Sequence, residues 1–208
     1  AFNYNANPNY TRSLGWGIEP TQHTGLLASY QVNDIVSFAA GVAETAGARI
    51  NDRPWYHPGT AGSLTGAGNF TKDQWNLSYL GAVAVTAPED MGALAGSTLY
   101  GGVVYGRNSG WTTATSAGNQ TSWYAGATVA TPVEGLSVGA AFDYLDFQDT
   151  YNNGAGSGST WVGGLYASYQ ATEKLSLHAR GEYQRGNSGF SGQPTGETGE
   201  AKGEAWEG

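Results

Sequence analysis

The chain has 208 residues, a net charge of −8 and no cysteine, and charged and aromatic residues each make up 12% of it. The acidic balance excludes a basic nucleic-acid-binding stripe, and the missing cysteines exclude disulfides, thiolate catalysis and cysteine metal sites. No run of about 18 apolar residues occurs, which excludes a membrane-spanning helix but not a barrel, whose strands of about 9–11 residues are half polar.

Residues 1–10 are Asn-rich and turn-like. Residues 11–18 alternate, with Leu14, Trp16 and Ile18 on one side and Ser13, Gly15 and Gly17 on the other. They are predicted as a strand that stops at Pro20, because proline cannot donate to a ladder. Residues 25–32 alternate next, with Leu26, Ala28, Tyr30 and Val32 on one face. After a short Asn33-Asp34 turn, residues 35–44 place Val36, Phe38, Ala40 and Val42 on one face. A long loop is expected over 45–70.

Residues 72–86 form the next predicted strand. Trp75, Leu77, Tyr79, Gly81, Val83 and Val85 lie on its apolar face, with Gln74, Asn76 and Ser78 opposite. Strands are also predicted over 97–107 (Leu99, Gly101, Val103 and Tyr105 apolar), 120–131 (Trp123, Ala125, Ala127 and Val129) and 136–145 (Leu136, Val138, Ala140, Phe142 and Tyr144). Residues 160–185 read as a hairpin. In its second half Leu175, Leu177, Ala179, Gly181 and Tyr183 share one face and Ser176, His178, Arg180, Glu182 and Gln184 the other. Successive strand side chains point to opposite faces, so this is a strand with a non-polar side and a fully polar side. From Gly186 onward the chain is rich in Gly and Glu, and no strand is predicted. The whole chain, 1–208, is read as one antiparallel up-and-down β-barrel domain or a contiguous portion of one, with 186–208 as a loop or tail.

The connections alternate between short, near 33–34, 87–95, 132–135 and 171–174, and long, over 45–70, 108–119 and 146–158. Outer-membrane barrels have short periplasmic turns and longer extracellular loops. On that reading Trp75, Tyr105, Trp123, Tyr144, Trp161 and Tyr183 fall at the long-loop end of the apolar face and form an outer aromatic girdle. Tyr30 and Tyr169 belong to an inner one. The polar rows line a wet lumen: Gln74, Asn76, Ser78, Asp143, Tyr166, His178, Arg180, Glu182 and Gln184. There His178, Arg180 and Glu182 form a charged eyelet or an ordinary solvated lumen face.

No nucleophile, phosphate-loop, dinucleotide or zinc-protease motif stands in a credible context, so no catalytic residue and no cofactor is expected. Asp146, Asp149, Asn152 and Asn153 do not fit the twelve-residue calcium pattern, and no histidine has a partner at zinc spacing, so no metal is expected.

The segment 7–42 carries Thr11-Arg12-Ser13, then Pro20, His23-Thr24-Gly25 and a hairpin of the form SYxVND at 29–34. As a set these elements resemble the OmpL-like β-barrel porin family. The resemblance implies a bacterial outer-membrane barrel of porin type. It also implies further strands upstream and a last strand with a terminal aromatic residue. Neither is visible here, so the chain is expected to be an interior piece of a longer barrel.

The function expected is therefore a non-enzymatic porin-like channel for passive diffusion of small hydrophilic solutes or ions. Its expected partners are outer-membrane lipid, those solutes and further copies of the chain in a homo-oligomer, with no nucleic acid. Two other readings use the same alternation. One is a structural outer-membrane barrel that anchors a surface assembly, its lumen filled by side chains as in a barrel of about eight strands. The other is a soluble ligand-binding barrel with its apolar face turned inward.

Overall fold

A computed structural model of the chain describes residues 9, 12–20, 22–44, 46, 77–107, 119–148, 158–186 and 203–207. Nine strands occur there: β1 (Gly25–Gln31), β2 (Val36–Ala43), β3 (Ser78–Thr86), β4 (Thr98–Arg107), β5 (Asn119–Ala130), β6 (Leu136–Gln148), β7 (Gly158–Thr172), β8 (Leu175–Gly186) and β9 (Gly203–Glu207). They form one sheet in chain order with every neighbouring pair antiparallel, an up-and-down meander. Among the described residues helix is confined to two 3-10 segments, Gly15–Gly17 and Glu89–Leu94.

The turns at one end of the sheet are made by local chemistry. Asn33 Oδ1 accepts the amides of Ile35 (2.9 Å) and Val36 (2.8 Å), and Thr172 Oγ1 accepts those of Lys174 (3.3 Å) and Leu175 (3.1 Å). Short polar side chains close such turns because they mimic a backbone acceptor. The β5–β6 turn ends at Gly135, whose φ of 78° lies in the left-handed region that a Cβ penalises.

The register decides which face each side chain shares. Leu26, Val42, Tyr79 and Tyr105 form one row across β1–β4, and Trp123, Tyr144 and Trp161 another across β5–β7. This apolar face is open: Leu26 is 74% exposed and Leu165 69%. The opposite face carries the row Ser29, Ala39, Ala82, Gly102, Tyr124, Asp143, Val162, Gln184. Ser78, Gln120, Ser122, Asp143, Thr160, Glu182 and Gln184 are all buried on that face, while the buried apolar residues there are few. A soluble barrel would show the reverse, with its large apolar side chains packed inside.

Two expectations are corrected. Residues 11–18 do not form a strand. Their described part turns through the Gly15–Gly17 3-10 helix and lies on the inner face, where Ile18 packs with Leu145 and Val162 and Leu14 sits beside them. Alternation alone made them look like a strand, but a strand needs a ladder partner, and the partner here is the Glu182 side chain. Beyond Gly186, where no strand is predicted, β9 pairs antiparallel with β8, setting Trp206 opposite Tyr183. Elsewhere the predicted strand ends are met within a few residues. For the strand predicted over 72–86, only the part from Ser78 falls within the described residues.

Candidate lumen site

The β7–β8 hairpin supplies the polar wall. Its register sets Ser168 against His178, Tyr166 against Arg180, Gly164 against Glu182 and Val162 against Gln184. Ser168 Oγ and His178 Nδ1 lie 2.9 Å apart on an exposed part of this wall, and Gln184 Nε2 donates to Thr160 Oγ1 at 3.2 Å in a buried part. Tyr166 lies along its own strand over Gly164, where a Cβ would meet its hydroxyl at 2.7 Å. From there the phenol donates to Glu182 Oε1 at 3.0 Å.

Glu182 is the centre of the site. Its Oε2 accepts Arg180 Nε at 2.9 Å and the Leu14 amide at 3.0 Å. Arg180 in turn donates through Nη2 to the Arg12 carbonyl at 2.9 Å. Both side chains of this pair are almost fully buried. Low dielectric strengthens such a pair, and each remaining donor and acceptor must find a partner for it to be tolerated. Here the partners come from the segment 12–20, so the ion pair also fastens that segment to the wall. Arg12 stacks its guanidinium 3.8 Å from the centre of the Trp16 ring, which steadies the start of the segment.

Further along the segment Glu19 hydrogen-bonds Asp143 of β6. Burial raises the Glu19 carboxyl above its ordinary range. The hydrogen bond with Asp143 opposes the shift, and the charge of Glu182 adds to it. Gly15 passes so close to Asp143 that a Cβ there would run into Oδ2. Asp143 Oδ1 has no hydrogen-bond partner among the described residues, although Asp143 is only 5% exposed.

Glu19 stands between two cavities. The one toward the short-turn end is about 340 Å³, and its polar lining includes Tyr100, Thr128, Ser137, Tyr166 and Ser168. The other is about 400 Å³ and bounded by Ile18, Leu27, Leu80, Ala82, Val104 and Tyr124. Asp143 reaches into this second one. The lumen is therefore two-sided, polar along β6–β8 and apolar along β1–β4.

The structure brings together Asp143, Tyr166, Arg180 and Glu182 of the residues named from the sequence. Ser78 and Gln184 are buried on the same face, and His178 lies exposed on it nearer the turn. Gln74, Trp75 and Asn76 fall outside the described residues. On the outer face Tyr30, Tyr105, Trp123 and Tyr169 are exposed, and Tyr144, Trp161 and Tyr183 are half-buried. Trp161 makes an edge contact with Tyr183 at 5.4 Å between ring centres, and Tyr30 lies 5.5 Å from Phe38. Sequence reasoning missed Glu19, Tyr124 and the whole inward segment. The available signal was Gly15-Trp16-Gly17 flanked by Arg12 and Glu19: two charges and two glycines in a stretch that would otherwise face lipid.

A nine-strand antiparallel meander with an exposed apolar face and a buried polar one is the wall of an up-and-down β-barrel of porin type. The family model described as "putative beta-barrel porin-2, OmpL-like" matches residues 3–207, nearly the whole chain. The chain belongs to that family. No curated protein and no solved structure matches it.

Proposed function

We propose that this chain walls an outer-membrane channel through which small hydrophilic solutes and ions diffuse passively, with no catalytic step. One observation carries the reading: large apolar side chains stand open on one face, while ionised and hydrogen-bonded groups are enclosed on the other. Lipid accepts the first face and a wet lumen needs the second. In this reading Ser78, Asp143, Tyr166, His178, Arg180, Glu182 and Gln184 line the pore. Tyr105, Trp123, Tyr144, Trp161 and Tyr183 form the loop-side girdle, and Tyr30 and Tyr169 the turn-side one. Glu182 is paired with Arg180, and the hydrogen-bonded carboxyls of Glu19 and Asp143 keep one negative charge between them, so the excess charge of this cluster is negative, which favours cations. Reconstitution in planar bilayers tests this. Discrete conductance steps with cation preference are expected, and His178→Lys, on an exposed lumen position, should shift the reversal potential toward anions. A preparation that inserts but conducts nothing would defeat the channel reading.

That outcome would favour the structural alternative, a barrel that anchors a surface assembly. The packing of Ile18 against Leu145 and Val162 inside the lumen is the observation on its side.

A further inference from the structure

The channel reading leaves the apolar cavity unexplained. A lumen meant only for hydrophilic solutes has no use for a wall of Ile18, Leu27, Leu80 and Val104. Its volume of about 400 Å³ is within the ordinary range of small-molecule sites, roughly 300–1,000 Å³. At its polar end sits the Asp143 carboxyl group, enclosed, with Oδ1 unpartnered among the described residues. A buried acceptor without a partner costs free energy that a bound donor recovers. Asp143 also hydrogen-bonds Glu19, and two carboxyls joined in this way hold one proton between them, so the pair carries one negative charge. The Arg180 guanidinium is committed to Glu182 and the Arg12 carbonyl. Tyr124 lines the same space, and an aromatic ring attracts positive charge to its face. A neutral amphiphile would satisfy the apolar wall and leave the charge of the pair unmatched. An inorganic cation would do the opposite.

We propose that this cavity binds a small organic cation with an apolar body, a primary aryl- or alkylammonium ion. Its ammonium group donates to Asp143 Oδ1 beside Glu19, and its body lies against Ile18, Leu27, Leu80 and Val104. The site deepens the channel reading by naming a class of permeant, and its role in transport rests on that reading.

The test uses the whole chain in non-ionic detergent with benzylammonium as the probe and calorimetry as the readout. Saturable binding is expected, and benzyl alcohol should fail to compete. Methylammonium, which keeps the charge and lacks the body, should bind more weakly. The double variant Glu19→Gln/Asp143→Asn, which removes the charge of the pair, should weaken benzylammonium by about tenfold or more, the loss expected for a charge-assisted contact. Ala82→Phe, which fills the cavity from the opposite wall and leaves the carboxylate in place, should abolish binding. Equal binding by wild type and this double variant, or equal competition by benzyl alcohol, would overturn the proposal. In bilayers, a protein that conducts without being blocked by benzylammonium defeats the site and spares the channel. Saturable binding by a protein that never conducts supports the site and defeats the channel.

Discussion

Glu182 does more than contribute charge to a lumen. It is the point where strand β8, the phenol of β7 and the backbone of the inward segment meet. Glu182→Ala removes three acceptor contacts and leaves Arg180 charged and enclosed. Breaking a buried pair from one side costs about 3–5 kcal/mol, and urea unfolding in detergent should show a loss of that size. Glu19 gives a different handle. Folded, it holds its proton to higher pH than the unfolded chain does, so its contribution is present below the ordinary glutamate range and is lost as pH rises through the raised value. The groups facing it are Asp143 and Glu182, with Tyr124, Tyr166 and Arg180 nearby. The chain has no cysteine, so Gly17→Cys, where a Cβ meets nothing within 4 Å, carries a single nitroxide label. Its mobility should increase from acidic to mildly alkaline pH, and Glu19→Gln should flatten that rise. These contacts were not legible in the sequence, because residues 12–20 and β8 are far apart in the chain and no local pattern links them.

At the level of elements, period-two alternation identified β1–β8, and the side chains fall on the faces it assigned. A one-residue slip would have exchanged every apolar row for a polar one, so the pattern specifies register strongly. Leu165 stands mid-strand on β7 and is 69% exposed. Leu165→Arg should cost about 2–4 kcal/mol on insertion if that face meets the bilayer core, and folding yields into lipid vesicles would report it. The same variant should be nearly silent if the face meets water. Turn chemistry was also legible. Gly135→Val forces a β-branched residue into left-handed backbone and toward the Gln170 carbonyl, and should cost about 1–2 kcal/mol or more in urea unfolding. Two elements escaped. The 12–18 stretch alternates like a strand yet has no ladder partner. β9 lies in a Gly- and Glu-rich stretch whose composition signals a turn more strongly than a strand.

At the scale of the whole molecule, the sheet has two borders, β1 and β9, that do not pair with each other among the described residues. Eight antiparallel steps separate them, so the two border strands point the same way. Bacterial outer-membrane barrels contain an even number of strands with every neighbour antiparallel. Joining β9 directly to β1 would break that parity with one parallel seam. A second copy in the same membrane orientation offers the same mismatch, since its β1 also points the way of β9. Antiparallel closure therefore takes an odd number of strands between these two borders. Copies that assemble in one membrane would meet through their lipid-facing surfaces and not through a shared wall, and each would keep its own lumen.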